Sequence, residues 1–212
     1  MRADLHIHSM HSPDSKTTAE QIIAQCKKAG IDCVAVTDHN TIAGSLEVKR
    51  LAPFKVIVSS EIHTSDGEII GYFLEKEIPK SLSAKETVRL IKEQGGLVGI
   101  PHPFDHRSGS GIERSALYEI LPDVDIIEVF NARCKSQDLN NMARDLAIKH
   151  KLLASAGSDA HTPGEIGRTY VEMPDFTDKE EFLKALAQGK ITGHAAPPWV
   201  HVQSTWAKIR KR

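Results

Sequence analysis

No apolar run in this chain approaches the roughly 18 residues of a membrane-spanning helix. Met1-Arg2-Ala3-Asp4 leads straight into a strand pattern where a secretion signal would have its apolar region. Membrane association is therefore not expected. Cysteine is scarce: Cys26, Cys33 and Cys134 form an odd set without zinc-finger spacing, and two of them lie in apolar-periodic segments where a small hydrophobe would serve. That usage fits a reducing cytoplasm. An excess of charge of one sign is missing, since 27 basic residues face 28 acidic ones, and no global field steers the chain toward a polyanion or a lipid surface. Aromatic residues make up only 5%, which leaves no stacking platform, so a long nucleic acid is not expected as a partner. Any anionic substrate must be held locally. No Gly-rich phosphate fingerprint follows the first strand, and no repeat, low-complexity segment or Pro/Gly/Ser-rich linker divides the chain. The 212 residues are read as a single domain, 1–212.

What is present is an alternation of strand and helix patterns. A first apolar run ends at Asp4-Leu5-His6-Ile7-His8, and Thr17-Thr18-Ala19-Glu20 offers an N-cap with a Glu three residues on. The helix that follows has an apolar face of Ile22, Ile23, Cys26 and Ala29 and ends at Gly30; the strand over 33–37 is almost wholly apolar, as a strand covered on both faces should be. Further helices are predicted over 42–51, 83–95, 113–121, 138–150 and 179–187, the last capped by Thr177. Strands are predicted over 55–59, 69–74, 97–100, 125–130, 152–156 and 169–173. Such alternation implies a mainly parallel sheet with right-handed crossovers, open or closed. His6/His8, Asp38/His39, Glu61, His102, Glu128/Asn131 and Asp159/His161 each follow an apolar run at once. In a closed barrel these positions ring one mouth, whereas an open sheet concentrates them at one switch point, so an α/β barrel like the TIM barrel is preferred.

In an extended strand His6 and His8 share a face with Cα atoms about 7 Å apart, within reach of one metal ion. Asp159-Ala160-His161 repeats that spacing with a carboxylate and an imidazole. Glu61 follows Val56-Ile57-Val58, where a carboxylate has little reason to be unless it is paired or holds a cation. His102 stands on a rigid turn between Pro101 and Pro103. Asp38 either caps the next helix or orients a ligand. The bland readings are polar filler for the His pair and a lone structural imidazole for His102.

Together Asp4-Leu5-His6-Ile7-His8-Ser9, Thr37-Asp38-His39-Asn40, Ser60-Glu61-Ile62, His102-Pro103 and Gly157-Ser158-Asp159-Ala160-His161 resemble the PHP domain, the polymerase-and-histidinol-phosphatase superfamily of metal-dependent phosphoesterases. The resemblance covers nearly the whole chain. It implies a distorted seven-stranded (β/α) barrel with two or three divalent metal ions, usually zinc, manganese or iron. It further implies that His6, His8, Glu61 and Asp159 hold one ion, that Glu61 bridges to a second held also by His102, and that Asp14, His39 and His161 hold the third. Where many members carry another His in the strand after the bridging Glu, this chain has Glu68, either an oxygen ligand or a surface carboxylate of a hairpin. The implied reaction is hydrolysis of a small phosphorylated metabolite or nucleotide by a metal-bound hydroxide. Arg107, Arg133 and Arg168 are candidates for the non-bridging phosphate oxygens, Arg168 and Arg107 ranked first because they stand closest to strand ends or metal loops. His161 or His39 could protonate the leaving oxygen where it is not a metal ligand. Two alternatives stand beside this one: an amidohydrolase-like barrel, against which Glu61 in place of a modified Lys argues, and a non-catalytic metal-stabilised nucleotide-binding module. The tail beyond Ile191 is expected to pack Trp199 or Trp206 on the barrel.

Overall fold

The chain runs β1 (Arg2–Ile7), α1 (Ala19–Ala29), β2 (Cys33–Val36), α2 (Ala43–Leu51), β3 (Lys55–Thr64), β4 (Gly67–Tyr72), α3 (Ala84–Glu93), β5 (Leu97–Ile100), α4 (Arg114–Ile120), β6 (Ile126–Asn131), α5 (Gln137–His150), β7 (Leu153–Gly157), β8 (Thr169–Glu172), α6 (Lys179–Leu186) and β9 (Lys190–Gly193). This computed structural model describes residues 1–106 and 110–197. Arg107, Trp199 and Trp206, and with the two tryptophans the expected packing of the tail, lie outside the described residues.

Local chemistry sets the helix ends. Thr18, one residue later than expected, caps α1 by accepting from Gln21 N, and the Gln21 side chain accepts the Thr18 N–H in return. Asp178, not Thr177, caps α6 by accepting from Glu181 N, while Thr177 donates to the Glu181 side chain. A carboxylate one residue nearer the first free N–H displaces the hydroxyl from that role.

The strands form one nine-stranded sheet in the order β7-β6-β5-β4-β3-β2-β1-β8-β9. Parallel pairs join β1 to β2, β2 to β3, β5 to β6 and β6 to β7. The nine strands exceed the seven expected. β9 was missed because Lys190–Gly193 is short and mostly half-buried and finds its place only by pairing with β8. β4 is antiparallel to both neighbours, because the link through Ser65 and Asp66 is too short for a helical crossover. β3 also runs five residues beyond its predicted end: Ser59 and Ser60 are buried and donate to the carbonyls of Val36 and Asp38, so their polarity marks a paired strand and not a loop. Glu61 therefore sits inside a strand.

A buried cluster draws Leu5, Ala35, Ile57, Tyr72, Ile126, Ala156 and Val171 from strands far apart in that order, which requires the sheet to curl around them. The Tyr72 hydroxyl donates to the Leu5 carbonyl at 3.3 Å, tying β4 to β1. Beyond the end of β7, Asp159 N donates to His6 O and His8 N to Ala160 O, both at 2.8 Å, so the barrel nearly closes on β1. Phe182 of α6 joins the interior cluster, with edge contacts to Phe73 and Phe176. A second layer packs Ile22 and Cys26 of α1 on Val34 and Val36, and a third places α3, α4 and α5 on the other flank. Leu5 belongs to the interior whereas Ile7 belongs to the α1 layer. Residues two apart on a regular strand share a face; here the β1–β2 register shifts between Asp4 and Ile7, and that irregularity re-aims the end of the strand. No helix among the described residues is long and apolar enough to cross a membrane.

Candidate metal centre

The strand ends bring most of the predicted residues together. His6 Nε2 and His8 Nε2 lie 3.2 Å apart. Glu61 faces both, with Oε1 3.5 Å from His6 and Oε2 3.5 Å from His8, and Asp159 Oδ1 lies 3.3 Å from His8 Nε2. Glu61 also faces outward: Oε1 is 3.1 Å from His102 Nε2, and Oε2 is 3.2 Å from His39 Nδ1. Asp14 stands between His39 and His161, at 3.5 and 3.4 Å. Glu68 is buried and directed at this cluster, 3.7 Å from His39 and 3.9 Å from His102, so it is not a surface carboxylate of the β3–β4 hairpin.

Hydrogen-bond polarity tests whether these groups suit a cation. Ser12 Oγ donates to Asp38 Oδ1, so the His8 Nδ1 that meets the same oxygen at 3.0 Å must be the donor, leaving the His8 Nε2 lone pair bare. His6 Nδ1 meets the Glu128 carboxylate at 3.0 Å and donates there. Two Nε2 atoms thus confront each other with their ring protons committed elsewhere, and something positive has to lie between them. In the metal-free state that is a proton on His6. Burial opposes charge on this ring, but Glu128, Glu61 and Asp159 outweigh it and hold its pKa well above the usual value. Burial and the neighbouring His161 lower that of His8 to about 4. His39 rises to about 10 and His102 to about 9 because Asp14 and Glu61 for the first, and Glu61 for the second, overcome the cost of burial. Glu61 is held well below the carboxylate range, with His6 and His102 overcoming its own burial. Asp14 Oδ1 is buried without a hydrogen-bond donor. Imidazole nitrogens and carboxylate oxygens so arranged fit hard and borderline divalent cations, and His6/His8/Glu61, His39/Glu61/Glu68 and His8/His39/His161 each converge closely enough to hold one.

Other residues act on the cluster without an assigned role in the sequence. Glu128 accepts from His6 Nδ1, from the His102 backbone N–H and from Asn131 Nδ2, tying β1, the turn after β5 and the end of β6 to one carboxylate. Its signal was visible, a Glu in the apolar run 126–130, but its partners come from other strands. Arg133 is buried, with Nη1 3.4 Å from the Asp159 carbonyl and 3.7 Å from Glu165. Arg168, ranked above it, donates from Nε to the carbonyl of Gly164 in the short turn before it. His102 and Asp159 adopt φ of 25° and 52°, left-handed conformations that cost non-glycine residues energy and are tolerated where surroundings over-determine them. Gly157 makes room for His6: an added Cβ would overlap His6 Cβ and lie 2.8 Å from Glu128 Oε1. Gly157→Ala is expected to cost about 1–3 kcal/mol of stability and to lower metal affinity, read by melting and metal titration; an unchanged protein would show that the approach of β7 to His6 can relax.

Comparison with known proteins identifies the family. The model of the PHP domain matches residues 4–113, and that of the PHP-associated region matches residues 137–191. An uncharacterised protein of Methanocaldococcus jannaschii is 43% identical over 162 residues, covering 70% of this chain and 92% of the relative. Among solved structures, a two-domain protein of Bacteroides vulgatus containing a predicted PHP-like metal-dependent phosphoesterase superposes with a TM-score of 0.72 at 18% identity, over 92% of this chain and 65% of that one. Endonuclease Q, solved with a 27-mer duplex substrate carrying an abasic lesion at its active site, superposes with a TM-score of 0.67 at 20% identity, over 90% of this chain and 57% of that one. The PHP domain model spans more than half of the chain, and this chain therefore belongs to the PHP domain family.

Proposed function

We propose that this chain is a divalent-metal-dependent phosphoesterase acting on a small phosphorylated metabolite or nucleotide. The observation that carries the reading is the pair of Nε2 atoms of His6 and His8 facing each other 3.2 Å apart beside Glu61. His6, His8, Glu61 and Asp159 would hold one cation; Glu61, His102 and Glu68 a second; Asp14, His39 and His161 a third, with zinc, manganese and iron all suited to the donors. Divalent ions in such a site neutralise phosphate charge and lower the pKa of bound water toward ~7.

The residues around the cluster do the rest. Glu128 and Ser12 fix the rings of His6 and His8. His161, half of the Asp14 pair, stands where it can hand a proton to a leaving oxygen when it holds no metal. Arg168, with Arg107, is the proposed partner of non-bridging oxygens. A cleft of about 520 Å³ opens beside His39, walled by Pro13, Asn40, Ile78, Pro79 and Lys80; it has the size of a small-ligand site and room for the alcohol part of an ester.

The expectation against long nucleic acid is not kept. It came from overall charge and aromatic content, which do not describe a local groove, and endonuclease Q, part of which shares this fold, was solved with a 27-mer duplex substrate. The test is hydrolysis by metal-replete protein, with Mn²⁺ or Zn²⁺, of an aryl phosphate, nucleotide and metabolite phosphates, and oligonucleotides. Turnover of the small esters supports the proposal, preference for long strands would replace the substrate class, and no turnover of any would refute the enzyme.

A further inference from the structure

Asp38 is fully buried and lies outside the cluster of ligand atoms, yet every donor around it leads back there. Its Oδ1 accepts from Ser9 N and from Ser12 Oγ, both at 2.7 Å, and its Oδ2 accepts from Ser9 Oγ at 2.5 Å. The polarity of these contacts is over-determined. Ser9 Oγ accepts from His11 N and so turns its own proton to Asp38; Ser12 Oγ accepts from His39 N and so does the same. With the single Ser12 proton committed, His8 Nδ1 can meet Ser12 Oγ only as a donor.

We propose that Asp38 is a positioning residue that sets the tautomer of His8 through Ser12, keeping the proton on Nδ1 and the Nε2 lone pair turned to the cluster. Free histidine favours the opposite tautomer, with Nε2 protonated, so an unassisted His8 would present a proton to the face where a cation should bind. The relay rests on the reading of the cluster as a metal centre, but its hydrogen bonds exist without metal. A second feature marks the carboxylate as placed: a Cβ on Gly44, at the start of α2, would overlap both Asp38 Oδ2 and Ser9 Oγ. Glycine there lets the helix close over the carboxylate. The same contacts bind the Ser9–Ser12 stretch, and with it the loop that carries Asp14, to the end of β2.

The test is ¹⁵N NMR of the metal-free full chain labelled at histidine, with His8 assigned by comparison with His8→Asn. Wild type is expected to show His8 protonated at Nδ1 and bare at Nε2. Asp38→Ala frees the Ser12 hydroxyl to donate to His8 and should shift the ring toward the Nε2–H form. Asp38→Asn keeps an oxygen at the Oδ1 position, where Ser9 N and Ser12 Oγ donate, and should restore the wild-type tautomer. Ser12→Ala, which leaves the Asp38–Ser9 contacts in place, should unlock the tautomer, and Asp38→Ala should then add nothing further. Zinc affinity should fall about 10- to 100-fold in either single variant; because Asp38→Ala also releases Ser9, the relay is read in the double from the tautomer and not from the affinity. A locked tautomer in a wild type that binds no zinc would support the relay and sink the metal reading. Zinc binding with His8 protonated at Nε2 in metal-free wild type, an unaltered tautomer in Asp38→Ala, or a further tautomer shift on adding Asp38→Ala to Ser12→Ala would overturn the relay.

Discussion

Glu61→Gln is expected to strip the protein of bound metal and to lower kcat/KM by roughly 100-fold or more, since even residues that merely orient ligands cost 10- to 100-fold. The substitution keeps the volume and removes the charge. Glu61 lies within 3.1–3.5 Å of imidazole nitrogens on His6, His8, His39 and His102, so all of the proposed cations would sit beside it or beside a residue it faces. Divalent ions a few ångströms apart repel, and an interposed carboxylate relieves that repulsion more than one at the edge. Glu68 is at the edge, 3.7 Å from His39 and 3.9 Å from His102, and Glu68→Gln should lose clearly less. The Glu61 backbone remains held by the carbonyls of Thr37 and Asp38, and the apolar core lies elsewhere, so the metal-free variant should give a native circular dichroism spectrum. Metal analysis and kinetics on both variants check the order; a Glu61→Gln protein with full metal and activity would place the centre of the site elsewhere.

Metal uptake should also be steeply pH-dependent. With pKa values raised to about 10 and about 9, His39 and His102 each carry a proton in the metal-free protein at neutral pH. His102 and His39 belong to different proposed cations, so each of these cations has to displace one of those protons, and its affinity should climb by up to about 10-fold per pH unit until about pH 9 for the first and about pH 10 for the second. Stability of the metal-free protein follows the same groups. The two imidazoles have folded pKa values above their unfolded 6.5, so their contribution is complete below about 6.5 and is lost as pH rises through 9 to 10. Glu61 and Asp159 are held well below their ordinary 4.5 and 3.8, so theirs is complete above those values and is lost as pH falls below them. On these groups the melting temperature without metal should decline above about pH 6.5 and again below about pH 4.5, and His8, held at about 4, adds a further loss as pH falls from 6.5 to 4. Calorimetry in buffers of different ionisation enthalpy counts the protons released; uptake without proton release would contradict the charge state assigned to the cluster.

How much of this was legible in the sequence depended on distance along the chain. His6/His8 and Asp159/His161 could be read because spacing by two puts side chains on one face, and Glu61 because a carboxylate at the end of Val56-Ile57-Val58 is costly unless compensated. The barrel followed from such residues recurring after one apolar run after another. Its last strand did not, because β9 is too short and polar to announce itself, and the far half of β3 hides in a polar Ser-Ser-Glu stretch that only pairing explains. The role of Glu128 was not legible, since its partners on β1 and at His102 lie 122 and 26 residues away. Nor was the way Asp38 acts: its sequence position suited a helix cap equally well, yet α2 starts after Ile42 with no side-chain cap, and the carboxylate turns to Ser9 and Ser12 instead.

The central claim, that the strand ends of this barrel hold divalent cations around Glu61, is tested most directly by counting them. Metal-free full-length protein, reconstituted with Mn²⁺ or Zn²⁺ near pH 8 and freed of excess by gel filtration, should retain two or three ions per chain by plasma mass spectrometry. Retention of less than one ion per chain by protein that is folded and monodisperse would contradict the account.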